Sequence, residues 1–525
     1  MSGIAGDVAD ETAEAADARE PEKADLAAWL AVSAGLLGAL MATLDITIIN
    51  SALPTIQGEI GASGAEGTWV ATSYLVAEII IIPLSGWLER VLGLRTLLLT
   101  AAILFTAFSV VCGTSTTLTM MIIGRAGQGL TGGAMIPTAM TIIATRLPRS
   151  QQPFGTALYG ITGVLGPVVG PLAGGWLTEN LSWHYAFFIN VPVCMALVLL
   201  LFLALPHRKP AFHLIPQADW LGIVGMTIGL GALTVVLEEG HREQWFDSLL
   251  IIQLTALAAL GFALLIAGQC LSRPPVIRLA LLFSPQFGSI VLMALVLGMV
   301  MYGTNYLVPQ FVATVVGYNA LQAGQVLMIS AIPLMVLLPF IPVMTRKLDI
   351  RFSVVAGFVI LAASCWLETS LTTQSTGSDF TVSQLLRGAG MILTFAFLNQ
   401  AAIVSVPRDF AADASGLYNA ARNFGGSIAL AGMATIQDQR LVLHSRRLEE
   451  TLQLSSGRLH DYLANLGNAL GSDAALRGLS NMIGREALVM AYNDLFLVVA
   501  IGTVVIAPLG FFLKPLPAGK AVATH

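Results

Sequence analysis

The chain has little charge. Its 525 residues include 26 Lys and Arg and 31 Asp and Glu, or 11% charged, where a soluble domain carries roughly 25%. With 56% hydrophobic residues and a mean hydropathy of +0.78, the apolar side chains exceed what one folded interior hides from water. The fold class this predicts is an all-α integral membrane protein with much of its surface facing lipid. A soluble enzyme is excluded.

Cysteine is equally scarce. Cys112, Cys194, Cys270 and Cys365 each fall inside an apolar stretch, with no two at metal-chelating or CxxC spacing, so neither disulfides nor a metal centre is expected. The seven histidines lie at or outside the ends of the apolar stretches, which takes haem and metal ligands out of the membrane interior. A nucleotide-driven pump needs a GxxxxGK[ST] loop, but the one Gly-Lys pair is Gly519-Lys520, followed by Ala521. HExxH and GxSxG are missing too, so no catalytic residue, metal or cofactor is expected. Nucleic acid is not an expected partner.

The acids that are present cluster at the start. Asp7, Asp10, Glu11, Glu14, Asp17, Glu20, Glu22 and Asp25 face only Arg19 and Lys23. A secretory signal begins with a basic patch and an apolar core, so residues 1–26 read as a retained, disordered acidic tail.

Fourteen stretches have the length and apolarity of a transmembrane helix. They run over about 28–52, 68–88, 96–113, 119–145, 154–178, 184–205, 220–237, 249–270, 287–308, 323–344, 352–371, 380–406, 417–437 and 488–513. Sixteen of the Lys and Arg residues fall in segments on the side of the termini, only Arg242 in the short loops opposite, and six in the long segment 438–487. Positive loops stay in the cytoplasm, so both termini, the tail 514–525 included, are predicted to be cytoplasmic.

Three arginines, Arg125, Arg387 and Arg422, remain inside spans, as do the acids Asp45 and Glu78. A charge at mid-membrane costs about 2.5–3.5 kcal/mol on insertion scales, so each needs a wet cavity or a partner. Arg125 opens RAGQG in span four and Arg387 opens RGAG in span twelve, and Gly155 and Gly416 occupy corresponding places in spans five and thirteen. Spans one to six and nine to fourteen thus read as two related halves, 27–206 and 287–513. The linker 207–286 between them contributes two inserted helices.

Asp45, alone in LDITIINSALP, is the first proton-carrier candidate. Desolvation raises a carboxyl's pKa and a nearby cation lowers it, so a cavity opening alternately to each side can load and unload its proton. The alternative is an Asp that only bonds neighbouring helices. Glu78 is a second proton site or a selector for cationic ligands. Arg125, among small residues that admit another helix, is a coupling residue or half of a permanent ion pair. In GITGVLGPVVGPLAGGW, Gly166, Gly170, Gly174 and Gly175 with Pro167 and Pro171 make a flat, kinkable face, read as a seam at which two halves rock or seal.

These motifs together resemble the fourteen-helix drug:proton antiporters of the EmrB/QacA type in the major facilitator superfamily. The family's LDxTxxNxALP is matched by Leu44, Asp45, Thr47, Asn50, Ala52, Leu53 and Pro54, and its WxxTSYxLA by Trp69, Thr72, Ser73, Tyr74 and Ala77, with Val76 replacing Leu. Its antiporter signature GxxxGPxxGG falls on Gly166, Gly170, Pro171, Gly174 and Gly175, and its RxxQG on Arg125, Gln128 and Gly129. The chain departs from the pattern after span two. There GxLaDrxGrk becomes GWLERVLGLR over Gly86, Glu89, Arg90 and Gly93, with Arg90 in the usual Asp position.

The resemblance implies two six-helix bundles plus two inserted helices, and proton-coupled efflux of amphipathic drugs or toxic hydrophobic compounds across the inner membrane. A dedicated exporter of one metabolite, fatty acid, siderophore or amino acid is the alternative. It also implies a central cavity with Asp45, Asn50, Arg125, Gln128, Asn305, Arg387 and Asn399 as candidates. The long external loop 438–487 is the expected docking place for a periplasmic membrane-fusion adaptor and an outer-membrane channel. Within it, 441–454 has the spacing of an amphipathic helix.

Overall fold

The structure, a computed structural model, describes residues 23–272, 275–451, 461 and 472–514. The acidic tail up to residue 22, the C-terminal tail from 515 and most of 452–471 lie outside the described residues.

Caps set the helix boundaries. Asp25 closes the start of α1 (Leu26–Ile60), its Oδ1 accepting from Ala28 N at 2.8 Å, and Gly61 ends it at φ 73°, a conformation glycine adopts without strain. α2 (Trp69–Leu92) stops at Gly93, φ 78°, and α3 (Leu94–Gly113) follows at once. Then come α4 (Leu118–Arg146), capped by Thr117, α5 (Gln152–Asn180) and α6 (Asn190–Ala204). α7 (Trp220–Gly240), capped by Asp219, and α8 (Leu249–Leu271) form the insertion.

α9 (Pro285–Phe311) opens with Pro at its first turn, where the missing N–H costs nothing. α10 is broken into Ala320–Met328, Ala331–Leu337 and Ile341–Lys347, because Pro333, Pro339 and Pro342 each remove a helix donor. α11 (Ile350–Leu367), α12 (Thr381–Val404), α13 (Ala411–Thr451) and α14 (Ser472–Ile506) complete the chain.

Among the described residues there is no strand. Ten helical stretches among the described residues are long and apolar enough to cross a membrane, and α2, α4, α5 and α13 are not among them. α4, α5 and α13 are the Gly- and polar-rich helices of the interior. α4 packs on α1, α2 and α3, α5 on α1, and α13 on α9 and α14. In the second set, α11 packs on α12 and α14. The two sets of helices meet where α2 and α4 touch α13, and where α5 touches α10 and α12.

The inserted α7 lies on α2 and α13, with α8 packed outside it. Only 22% of the α8 stretch is buried, against 67% of the stretch holding α12; α8 therefore faces lipid and α12 lines the interior. Exposed Leu199, Phe202, Leu257, Leu260, Ile266 and Val505 are the expected outer surface of a bilayer protein.

Within the segment 438–487, α13 continues unbroken to Thr451 and α14 begins at Ser472, so the helix expected over 441–454 is present as far as Thr451, and 452–454 lie outside the described residues. His444 Nε2 meets Asp494 Oδ2 at 2.8 Å and Arg440 lies 3.4 Å from the same oxygen. Charged side chains between the apolar positions lower the hydropathy here without breaking the helix.

Candidate functional site

Asp45 of α1 is completely buried and fully satisfied. It forms an ion pair with Arg125 of α4 through Oδ2, while its Oδ1 accepts from Gln128 Nε2 at 3.1 Å and Asn190 Nδ2 at 2.6 Å. Gln128 Nε2 and Asn190 Nδ2 both reach Ser109 Oγ of α3, at 2.8 and 3.2 Å. Four helices thus contribute to one closed network, which is how a charge survives among hydrocarbon.

Arg125 also ties the network to α2. Its Nε donates to Val70 O at 3.0 Å, and its guanidinium lies 4.3 Å from the centre of the Tyr74 ring. The motif residues Asp45, Arg125 and Gln128 are brought together. Asn190 and Ser109 were not legible, because nothing in sequence marks a polar residue on α3 or α6 as facing this carboxylate.

Arg387 forms a second, separate ion pair. It meets Glu368 at the end of α11, which also accepts from Ser383 Oγ at 2.7 Å. The Arg387 Nε and Nη1 groups have no partner. Asn399 is buried, with Nδ2 bonded to Phe395 O at 2.7 Å and Oδ1 unpaired. Asn305 is half-buried on α9. The Asn50 and Pro167 side chains lie outside the described residues.

Glu78 and Arg422 meet at the junction of the two sets of helices. Asn423 Nδ2 of α13 donates to Glu78 Oε1 of α2 at 3.3 Å, and Asn423 Oδ1 accepts from Arg422 Nη2 and Tyr302 Oη, both at 3.4 Å. Nearby, Tyr159 Oη of α5 donates to Asn419 Oδ1 at 2.7 Å and Ser415 Oγ donates to Pro137 O of α4 at 2.8 Å. These bonds tie α2, α4 and α5 to α13 across the junction.

At the end of that junction the motif that departs from the family pattern finds its partner. Arg90 Nη1 donates to Asp413 Oδ1 at 2.7 Å, and Arg278, from the segment after α8, lies 3.7 Å from Asp413 Oδ2. A Cβ on Gly86 would stand 2.9 Å from Asp413 Oδ1 and 3.2 Å from the Ala412 backbone, so glycine is what admits α13. Gly93 supplies the left-handed turn that ends α2. Burial pushes the half-buried Glu89 carboxyl up to about 7, with Arg90 opposing the shift and Asp413 adding to it.

The glycine signature does not sit between the halves. Cβ atoms on Gly166, Gly170 and Gly174 would strike Thr43, Thr47 and Ser51 of α1 in the same half, and Thr47 Oγ1 donates to Gly166 O at 2.9 Å. Gly175 faces open space. The face of α5 toward the other set carries Gly160 and Gly163, which approach Phe395 of α12. Spacing alone identifies a close-packed face but not the helix that covers it.

With this arrangement of helices, comparison decides the lineage. The Major Facilitator Superfamily model matches residues 35–430. The chain belongs to that superfamily. It is 32% identical over 493 residues to the colistin resistance protein EmrB of Acinetobacter baumannii, covering 93% of this chain and 96% of that one. It is likewise 32% identical over 485 residues to the multidrug export protein EmrB of Escherichia coli, covering 91% and 94%. The crystal structure of human MFSD10 superposes with a TM-score of 0.58 at 13% identity, covering 92% of this chain and all of that one, which speaks for the fold alone. The major facilitator fold and a multi-pass membrane protein follow.

Proposed function

We propose that this protein exports amphipathic toxic compounds across the inner membrane in exchange for protons, with both termini in the cytoplasm. Fourteen crossings are arranged as halves 27–206 and 287–513 around the insertion 207–286. The observation that carries the reading is the Asp45–Arg125 pair: an ionisable couple, wholly buried, whose cation also holds α2 through Val70 O. The likeness to multidrug exporters over nearly the whole chain supports it.

Protonation of Asp45 removes the negative half of the pair. Arg125 is then left as an uncompensated buried charge, which is costly enough to drive rearrangement. It bonds α2, and α2 is the helix that carries Glu78 and Arg90 to α13, so the proton state of Asp45 biases the closed cytoplasmic face. Glu78, bonded across the junction by Asn423, is the second titrating group. A compound binding the two protonation states unequally is exchanged against the proton; one binding both equally is not.

The substrate cavity lies between the halves, and the α5 signature holds α5 against α1 as its half moves. The helical projection formed by the ends of α13 and α14 exposes Val442, Leu476 and Met482. That apolar surface is a place for a periplasmic adaptor, leading to an outer-membrane channel.

Everted vesicles carrying the protein test this reading. With respiration acidifying the lumen, adding a hydrophobic compound from a structurally varied panel is expected to release luminal protons for some compounds. Vesicles that show no compound-dependent proton movement across the whole panel contradict it.

A further inference from the structure

The three intramembrane arginines differ in one respect. Arg125 and Arg387 each bond a carboxylate, Asp45 and Glu368. Arg422 is only 2% exposed, yet its hydrogen bonds go to neutral partners, a long one to Asn423 and one to Tyr159, and its Nε has no partner. A buried guanidinium without a paired anion is expensive, and burial without compensation is a mark of a site whose counter-charge arrives from outside.

The surroundings are those of a ligand site. The Arg422 guanidinium lies 5.3 Å from the Phe395 ring centre, and Tyr159, Tyr302 and Tyr418 surround it. Tyr418 Oη is buried with no hydrogen-bond partner. These groups come from α5, α9, α12 and α13, so the cluster spans both halves at their junction. Aromatic faces accept a flat apolar body, while a guanidinium recognises carboxylate or sulfonate in a planar fork.

We propose that Arg422 is the anion-recognising residue of a substrate site that takes aromatic amphipaths bearing one carboxylate or sulfonate. The proposal deepens the export reading above and rests on it. Glu78 reaches Arg422 only through the bridging Asn423 side chain and forms no direct ion pair with it, so the guanidinium keeps donors for a ligand anion. Phe395 and the tyrosines hold the ring system, and Tyr418 Oη gives the ligand anion a second donor.

Three dansyl probes that differ only in head group decide the matter by fluorescence polarisation on purified protein in nanodiscs: dansyl glycine (anion), dansyl amide (neutral) and dansyl cadaverine (cation). The wild type is expected to favour dansyl glycine and to bind dansyl cadaverine least. Arg422→Gln is expected to weaken dansyl glycine about tenfold or more, the usual scale of a lost charge-assisted bond, and to leave dansyl amide nearly unchanged. Arg422→Lys recovers part of the loss.

Equal weakening of dansyl glycine and dansyl amide, or a wild type indifferent to head-group charge, overturns the proposal. If Arg422→Gln does not yield monodisperse protein, the wild-type ranking and the Arg422→Lys variant decide it. Binding with the expected ranking but no compound-driven proton movement in vesicles leaves the anion site standing and removes the antiport reading instead.

Discussion

Arg90, on the last turn of α2, donates to Asp413 in the first turn of α13 at 2.7 Å. The cation stands where the family's loop pattern has an acid, and the acid stands on the opposite half. Asp413 is 1% exposed in its side chain while Arg90 is 37% exposed, so the buried partner loses more when the pair breaks. Arg90→Asp is expected to open the face where this pair sits, and Arg90→Asp combined with Asp413→Arg to close it again. Spin-label distances between the end of α2 and the start of α13 check this: longer in the single variant, restored in the double.

Glu89 gives that face a pH dependence. Its carboxyl is raised from the ordinary 4.5 to about 7 by burial, so the closed arrangement binds the proton more tightly than an open, hydrated one. The closed face is therefore most stable below about pH 4.5, loses stability as pH rises toward 7, and changes no further from this group above that value. The same spin-label distances, followed from pH 5 to 8, are expected to show the open population growing in the wild type. Glu89→Gln should flatten that dependence; an unchanged dependence assigns it elsewhere.

Two glycines of one signature should respond oppositely to one methyl group. Gly170→Ala forces a Cβ into Thr47, whose backbone carbon is 3.1 Å away, and overpacking of this kind costs about 1–3 kcal/mol. Gly175→Ala meets nothing within 4 Å and removes a helix glycine, worth roughly 0.5–1 kcal/mol in its favour. Thermal unfolding in detergent is expected to fall for the first and hold or rise for the second.

Arg387 and Glu368 form a buried pair inside one half. Removing one member of such a pair costs roughly 3–5 kcal/mol. Glu368→Gln is expected to lower thermal stability while leaving the proton coupling of whatever folded protein remains. Loss of coupling at unchanged melting temperature would instead place this pair in the exchange cycle.

Much of this was legible in the residues. The lack of charge and the apolar stretches specify a helical membrane protein, and the likeness of LDITIINSALP and RAGQG to family motifs marks Asp45, Arg125 and Gln128 as candidates for one cavity, without saying which of them pair. What pairs with what was less accessible. Glu368, Asp413, Asn190 and Asn423 carry no motif, and each matters because of a neighbour distant in the chain. The face of α5 that carries Gly166, Gly170 and Gly174 was visible as tightly packed, but only the fold shows α1 against it. The helix over 441–451 was visible in its amphipathic spacing, but that it continues α13 without a break was not.

The central claim is that Asp45 trades a proton for cargo, and substrate exchange in proteoliposomes tests it most directly. A compound that moves protons in the vesicle assay is followed in two modes, accumulation driven by an imposed pH difference and counterflow with no gradient. Asp45→Asn is expected to abolish accumulation while counterflow continues, because the uncharged side chain holds its place among Gln128 and Asn190 but carries no proton. Full gradient-driven accumulation by Asp45→Asn contradicts the account.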